Sequence, residues 1–276
     1  MLVPGNEIHY DAKIITQELV DNSMAMDFTD FEKVFRTKVK GHSFSIGGSH
    51  DGSLGHWLER QCGVKANSIA GADLDGFEIK SGGQKGSFGD WMAGWYIWYD
   101  GDVVASKEMF LRVFGSKKRP DRPGRFSWTG GNYGSRVSKN FSEFGQRMSV
   151  NSNDDIVVEY SYESDERPDK AVIVPTELQR GIHVIAEWER ARINDFVQNK
   201  FGQRGWVLFS VRTNQGVKSV DSLLLGMPFS FSFWIQEVKD GNIILDSGMN
   251  SDNSRNYSTF RAPKSWWVEN CFKQIT

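Results

Sequence analysis

The chain of 276 residues contains only two cysteines, Cys62 and Cys271. Two thiols build neither a disulfide framework nor a cysteine-ligated metal cluster, and they suit a reducing compartment. Five histidines, His9, His42, His50, His56 and His183, show no metal-ligand spacing. No apolar run approaches the ~20 residues that span a bilayer. The opening MLVPGNEIHYDAK lacks the charged-then-apolar layout of a secretion signal, so a soluble cytoplasmic protein is the expectation. A G-x-x-x-x-G-K-S/T phosphate cradle is missing, as are internal repeats and long linkers. Positive charge is not in excess: the net charge of −2 disfavours a nonspecific nucleic-acid coat protein. A site-specific DNA enzyme stays open, because a local basic stripe acts independently of the total.

A hydrophobic content of 39% against 25% charge is globular, so the chain has the means to bury a core. Residues 10–40 read as helical; Phe31, Val34 and Phe35 fall at helical spacing, with Asp27 or Thr29 as the cap. GHSFSIGGSHDG, 41–52, reads as a loop. SLGHWLERQCG, 53–63, reads as a short helix with Leu54, Trp57, Leu58 and Cys62 on one stripe and Gly63 as its stop. From Phe77 the period changes to two, as in a half-buried strand. The segments 91–99, parts of 103–114, 155–162, 170–175 and 205–213 read as further strands. The spacing predicts one long helix over 176–202, a hairpin over 231–248 turning at Asp240-Gly241, and a short helix after Pro263. This order of elements predicts a mixed α+β (α/β) chain with a lobe boundary in 115–155.

One stretch carries chemistry. NSIAGADLDGFEIKSGG, 67–83, places two aspartates, a glutamate and a lysine between Asp73 and Lys80. On a strand, Glu78 and Lys80 share a face, about 6–7 Å apart, while Phe77 and Ile79 anchor the other. Asp73, just before the strand, can fold back beside Glu78. Asp75-Gly76 is a good turn pair. Two hard carboxylate ligands suit a Mg²⁺ that keeps several waters and takes a further ligand from a phosphate, with the lysine holding the water and the developing charge. Glu-x-Lys alone is weak, arising by chance about once per couple of hundred residues. A second copy, Glu237-Val238-Lys239, has Ser232 rather than an acid five residues upstream, and reads as a solvated hairpin end.

GHWLERQCGVKANSIAGADLDGFEIKSG, 55–82, resembles the active-site region of the PD-(D/E)xK nucleases, and more narrowly the branch holding the mismatch-repair nickase MutH and the MvaI/BcnI restriction endonucleases. Gly55, Leu58 and Glu59 match that branch's helix; Asp73, Glu78 and Lys80 match its catalytic trio. Cys62-Gly63 stands where Leu-Gly is usual. The Asp73-to-Glu78 spacing looks like the restriction members, and 245–267 resembles their C-terminal part. The resemblance implies a central mixed sheet flanked by helices in two lobes that clamp DNA. We draw these at about 1–115 plus 155–215 for catalysis and about 116–154 plus 216–276 for recognition. It further implies that Asp73 and Glu78 hold Mg²⁺, that Lys80 acts on the attacking water, and that Glu59 orients Lys80 or binds a second ion. The implied activity is type II restriction: hydrolysis of double-stranded DNA by a monomer at a short GC-rich site, leaving 5′-phosphate and 3′-hydroxyl ends. A separate DNA methyltransferase is the implied companion.

For DNA contacts, Arg255, Asn256 and Arg261 suit base edges in the major groove, against a plain reading as surface polar groups. Lys117, Lys118, Arg119, Arg122 and Arg125, in the stripe SKKRPDRPGR, suit phosphates, against an equal reading as a solvated loop. His56 reads as a helix-surface residue. Three alternatives stand beside the nuclease: a MutH-like nickase, a noncatalytic carbohydrate-binding module that exposes its tryptophans, and a structural protein whose Glu78–Lys80 pair is a surface ion pair worth under ~1 kcal/mol.

Overall fold

The computed structural model describes residues 27–45, 53–64, 71–117 and 121–276. Its chain folds into two units. The first takes residues up to Gly83, Asn199–Phe229 and Val268–Thr276; the second takes Gln84–Gln198 and Ser230–Trp267. These boundaries differ from the lobes drawn on the sequence: 84–115 and 155–198 fall with 116–154, and 216–229 falls with the strand Phe77–Gly82.

The first unit is built on a sheet ordered Ser43–Ser45, Val217–Gly226, Gly205–Asn214, Phe77–Gly82, with Lys273–Ile275 also pairing to Val217–Gly226. Phe77–Gly82 pairs in parallel with Gly205–Asn214, setting Glu78 beside Trp206 and Lys80 beside Leu208. A parallel pair needs a long crossover, and here residues 84–198, most of the second unit, lie within it. Phe77, Ile79, Val207, Phe209, Leu223 and Leu225 bury one apolar face against Phe31, Phe35 and Val39 and against Leu54, Leu58 and Cys62. Phe31 and Phe35 belong to the helix Phe28–Val34 and its π-helical continuation Phe35–Val39, capped by Asp27. Leu54 and Leu58 come from the helix Ser53–Gln61. Gly63, at φ +88°, stops that helix as expected. Residues 10–26 of the expected first helix lie outside the described residues, as do 46–52 of the expected loop. The loop's described part includes a strand, Ser43–Ser45, paired to Ser219, Lys218 and Val217.

The second unit holds a four-stranded antiparallel sheet ordered Trp95–Tyr96, Ile182–Trp188, Ile156–Asp165, Phe144–Val150, and a three-stranded sheet ordered Ile244–Ser247, Ser258–Pro263, Lys85–Asp90. Five sequence expectations are corrected in it. The long helix over 176–202 is a 3-10 turn, the strand Ile182–Trp188, and a helix only from Arg190 to Phe201. Gly181, at φ +76°, breaks the run, and the Ile-His-Val-Ile segment after it prefers a pleated surface. The hairpin over 231–248 is a helix, Phe231–Lys239, followed by the strand Ile244–Ser247. Ser230 caps that helix, and Phe231, Trp234, Ile235 and Val238 bury one helical stripe. Gly241, at φ +75°, serves the helix end rather than a hairpin. Parts of 103–114 form the helix Lys107–Phe114 instead of sheet, and Lys170–Ile173 is a helical turn instead of a strand. In 91–99, only Trp95–Tyr96 is strand.

Seven of the ten tryptophans are buried and the other three half-buried, which removes the basis of the carbohydrate-binding alternative. Trp91, Trp234 and Phe260 form part of an aromatic core with ring centroids 5.0 to 6.2 Å apart, Trp234 meeting Phe260 edge to face.

Ile79 ties the first unit's core to the strand carrying Glu78 and Lys80, and is 4% exposed. Ile79→Ala is therefore expected to cost about 2–5 kcal/mol in urea unfolding. A loss below ~1 kcal/mol would mean that this strand is not anchored as described.

Candidate active site

The turn before the strand Phe77–Gly82 sets the geometry. Leu74 and Phe77 exchange backbone hydrogen bonds of 3.1 and 2.7 Å across Asp75-Gly76. Both central residues have positive φ, +46° at Asp75 and +83° at Gly76, the signature of a tight hairpin turn that Asp-Gly favours. At Gly76 a Cβ would also press on Arg204 Cγ at 3.1 Å. The reversal carries Asp73 back along the strand, where its Oδ2 accepts from the Ile79 amide at 2.8 Å. The expected folding-back of Asp73 is thus present.

Glu78 lies on the face of the strand opposite Phe77 and Ile79, and its side chain is 0% exposed. Its Oε1 accepts from the Lys80 ammonium, the same-face neighbour expected from the two-residue period. A second ammonium, from Lys200, reaches the same oxygen at 3.0 Å. Among the described residues Glu78 Oε2, which is buried, has no hydrogen-bond partner. This is not a surface ion pair, so the structural-protein alternative fails on burial.

Electrostatics couple the group. Burial, with the nearby Glu78 charge, pushes the Asp73 carboxyl up to about 6, against the pull of Lys80. Burial alone would lower the Lys80 ammonium; the Glu78 carboxylate, helped by Asp73 and Glu59, outweighs it and holds Lys80 above its ordinary value. Glu59 stands half-buried on the 53–61 helix, bonded to His56 Nδ1 at 3.3 Å. That helix runs close along the strand Phe77–Gly82: a Cβ on Gly55 would meet Ser81 Oγ at 3.6 Å. Cys62, on its apolar stripe, is pushed up to about 12 by burial and is an inert thiol.

The second Glu-x-Lys copy behaves differently from Glu78 and Lys80. Glu237 and Lys239 sit two apart on a helix, where such residues do not share a face. Glu237 accepts from Trp266 Nε1 at 2.6 Å and Lys239 pairs with Asp154 at 2.7 Å. The solvated hairpin end expected for them is therefore a helix end.

Among the described residues no three His, Cys, Asp or Glu side chains group to hold a metal. The oxygen donors here are two, Asp73 and Glu78. An unpartnered, buried carboxylate oxygen is costly as it stands, and it fits a hard divalent cation that draws its other ligands from water and substrate.

The candidate DNA-contact residues that the structure describes lie in the second unit, with Arg122 and Arg125 meeting Asp252 in the turn after Met249–Asn250. That short strand pairs with Ser127–Trp128. Arg122 reaches Asp252 at 3.2 Å and Arg125 approaches it at 3.9 Å. Arg255 pairs with Asp90, and Arg261 with Asp246 at 2.7 Å. Asn256 is half-buried, with its Oδ1 unpartnered. Lys117 is exposed over the Phe126 ring. Lys118 and Arg119 lie outside the described residues. Sequence reasoning missed Lys200, since no local spacing links it to Glu78, and Lys107, which donates to the carbonyls of Asn253 and Arg255.

Asp73 yields a stability test. Its carboxyl binds a proton more tightly when folded, at about 6, than at its ordinary 3.8. Ionised Asp73 therefore opposes folding, and the penalty grows as pH rises from about 4 to about 6. Asp73→Asn, whose amide oxygen can still accept from Ile79, should raise the Tm in EDTA at pH 8. The gain, on the order of 1–3 kcal/mol, should shrink as pH falls toward 4. A variant no more stable than the native protein at pH 8 would contradict this.

Comparison with known proteins accords with this geometry. The LlaMI restriction endonuclease family model matches residues 35–275. The type II restriction enzyme ScrFI of Lactococcus lactis subsp. cremoris is 36% identical over 261 residues, covering 85% of this chain and 93% of that protein. In fold, the chain is similar to restriction endonuclease MvaI, solved in complex with its cognate DNA substrate. That match has a TM-score of 0.56 at 11% identity, over 91% of this chain and 99% of that one. The chain belongs to the LlaMI restriction endonuclease family and is a type II restriction endonuclease.

Proposed function

We propose that the enzyme hydrolyses double-stranded DNA at the site built around Asp73, Glu78 and Lys80, with a Mg²⁺ ion held by the two carboxylates. The observation that carries this reading is Glu78. It is fully buried, its Oε1 is bound by lysines, and its Oε2 has no partner. When bound, the cation supplies Lewis-acid polarisation of the phosphate and acidifies a bound water.

The chain's own groups do the rest. Glu78 is fixed by the strand and Asp73 by its bond to the Ile79 amide. Lys80, kept protonated by Glu78, donates to the attacking water and to the charge that builds on the phosphate. The water oxygen bonds to phosphorus as the water gives up a proton to solvent, the bond to the 3′ oxygen breaks, and that oxygen takes up a proton from solvent. The products carry 5′-phosphate and 3′-hydroxyl ends. Glu59, whose charge already reaches Lys80, orients it or binds a second ion.

The DNA-bound MvaI relative in fold supports a duplex substrate. The resemblance at 55–82 supports a short GC-rich site, a monomer, and a separate methyltransferase protecting the host. Among the described residues no helix is long and apolar enough to cross a membrane, in keeping with a cytoplasmic enzyme. Arg255, Asn256 and Arg261 are the proposed base contacts. Lys117, Lys118, Arg119, Arg122 and Arg125 are the proposed phosphate contacts.

Plasmid incubated with Mg²⁺ should give discrete fragments, lost with Asp73→Ala and with Lys80→Ala. Absence of breaks with Mg²⁺ or Mn²⁺, or equal cutting by the variants, would overturn the proposal. Replacing both Arg122 and Arg125 by alanine should weaken DNA binding across sequences and reduce the salt slope by up to ~2. An unchanged slope would remove these two residues from the phosphate contacts.

A further inference from the structure

Lys200 is a charge that the proposed chemistry does not use. It sits on the last turn of the helix Arg190–Phe201, with a side chain only 17% exposed, and it donates to Glu78 Oε1 at 3.0 Å. Lys80 already gives that oxygen an opposite charge. Crowding two ammonium groups onto one oxygen while Oε2 stays bare is an uneven way to neutralise a buried carboxylate.

The charges around the pocket come from four elements. Glu59 is on the 53–61 helix, Asp73 on the turn, Glu78 and Lys80 on the strand, and Lys200 on the second helix. Three carboxylates against two ammoniums leave a formal charge of −1. A divalent cation changes this to +1; without Lys200 the same cation would bring it to zero. An ammonium on Oε1 therefore repels a cation approaching Oε2. The helix end is also fixed at its backbone, because the Ala72 amide, beside Asp73, donates to the Asn199 carbonyl at 3.0 Å. The lysine's four-carbon stem can swing away without disturbing that bond.

We infer that Lys200 is a resident counter-ion for Glu78 that competes with the divalent cation, stabilising the cation-free protein while weakening cation binding. This rests on the reading that Asp73 and Glu78 hold the cation. A merely structural lysine would support folding and cation binding together. A competing one moves them in opposite directions.

The test uses the full chain without DNA. Mn²⁺ binding is followed by calorimetry, and Tm is measured in EDTA, for the native protein and for Lys200→Met, Lys200→Gln and Lys200→Arg. The Met and Gln variants should melt lower in EDTA yet bind Mn²⁺ roughly ten-fold more tightly. Lys200→Arg should restore both native values. Lysine acylation read by mass spectrometry covers the case in which a variant fails to fold. In the native protein, Lys200 should be protected in EDTA and labelled faster at saturating Mn²⁺. Unchanged or weaker Mn²⁺ binding in the folded variants, or Lys200 labelling indifferent to Mn²⁺, would overturn the inference. If the native protein binds no Mn²⁺ at all, the reading of Asp73 and Glu78 falls with it. If it binds and the variants bind alike, only the role of Lys200 falls.

Discussion

A carboxylate fully out of water is among the costliest groups a fold can carry, and Glu78 is such a group. What surrounds it follows from that cost. The parallel pairing with Gly205–Asn214 fixes the strand, and Phe77 and Ile79 root the strand in the first unit's core. Two lysines, one on the strand and one on a helix from the far end of the crossover, balance the charge on a single oxygen. The turn at Asp75-Gly76 then delivers Asp73, a second carboxylate that burial leaves reluctant to ionise. Burial and the Glu78 charge together make Asp73 costly to ionise.

The second unit carries a different electrostatic arrangement. Each of Arg122, Arg255 and Arg261 has a carboxylate partner, Asp252, Asp90 and Asp246 respectively. These pairs are partly exposed, so each is weak and salt-sensitive. Such pairs can exchange their carboxylates for DNA phosphates or base edges at little net cost. Beneath them, the tryptophans that suggested a stacking surface in the sequence form a core, where their area stabilises the fold.

The site was more legible in the sequence than the fold around it. Asp73, Glu78 and Lys80 interact through a turn and a strand only eight residues long, and local spacing dictates such geometry. The same holds for the 53–61 helix, whose apolar stripe and glycine stop are both local. Segments further along the chain misled where local signals conflicted. FSFWIQEVKDG has strand-loving aromatic and β-branched residues and an Asp-Gly pair. Its apolar positions nonetheless repeat at 3.6, and burial of Phe231, Trp234, Ile235 and Val238 decides for helix. Residues 182–188 are flanked by good helix formers, but pairing with Ile156–Asp165 overrides them. Lys200, 122 residues from Glu78, shows itself only once the crossover is closed.

The central claim is that Asp73 and the free oxygen of Glu78 converge to grip a divalent cation. Crystals soaked in Mn²⁺ and measured at its absorption edge test it most directly. The account predicts an anomalous peak within about 2.3 Å of Glu78 Oε2 and of an Asp73 oxygen. A peak elsewhere, or well-ordered Asp73 and Glu78 with no peak at saturating Mn²⁺, would contradict it.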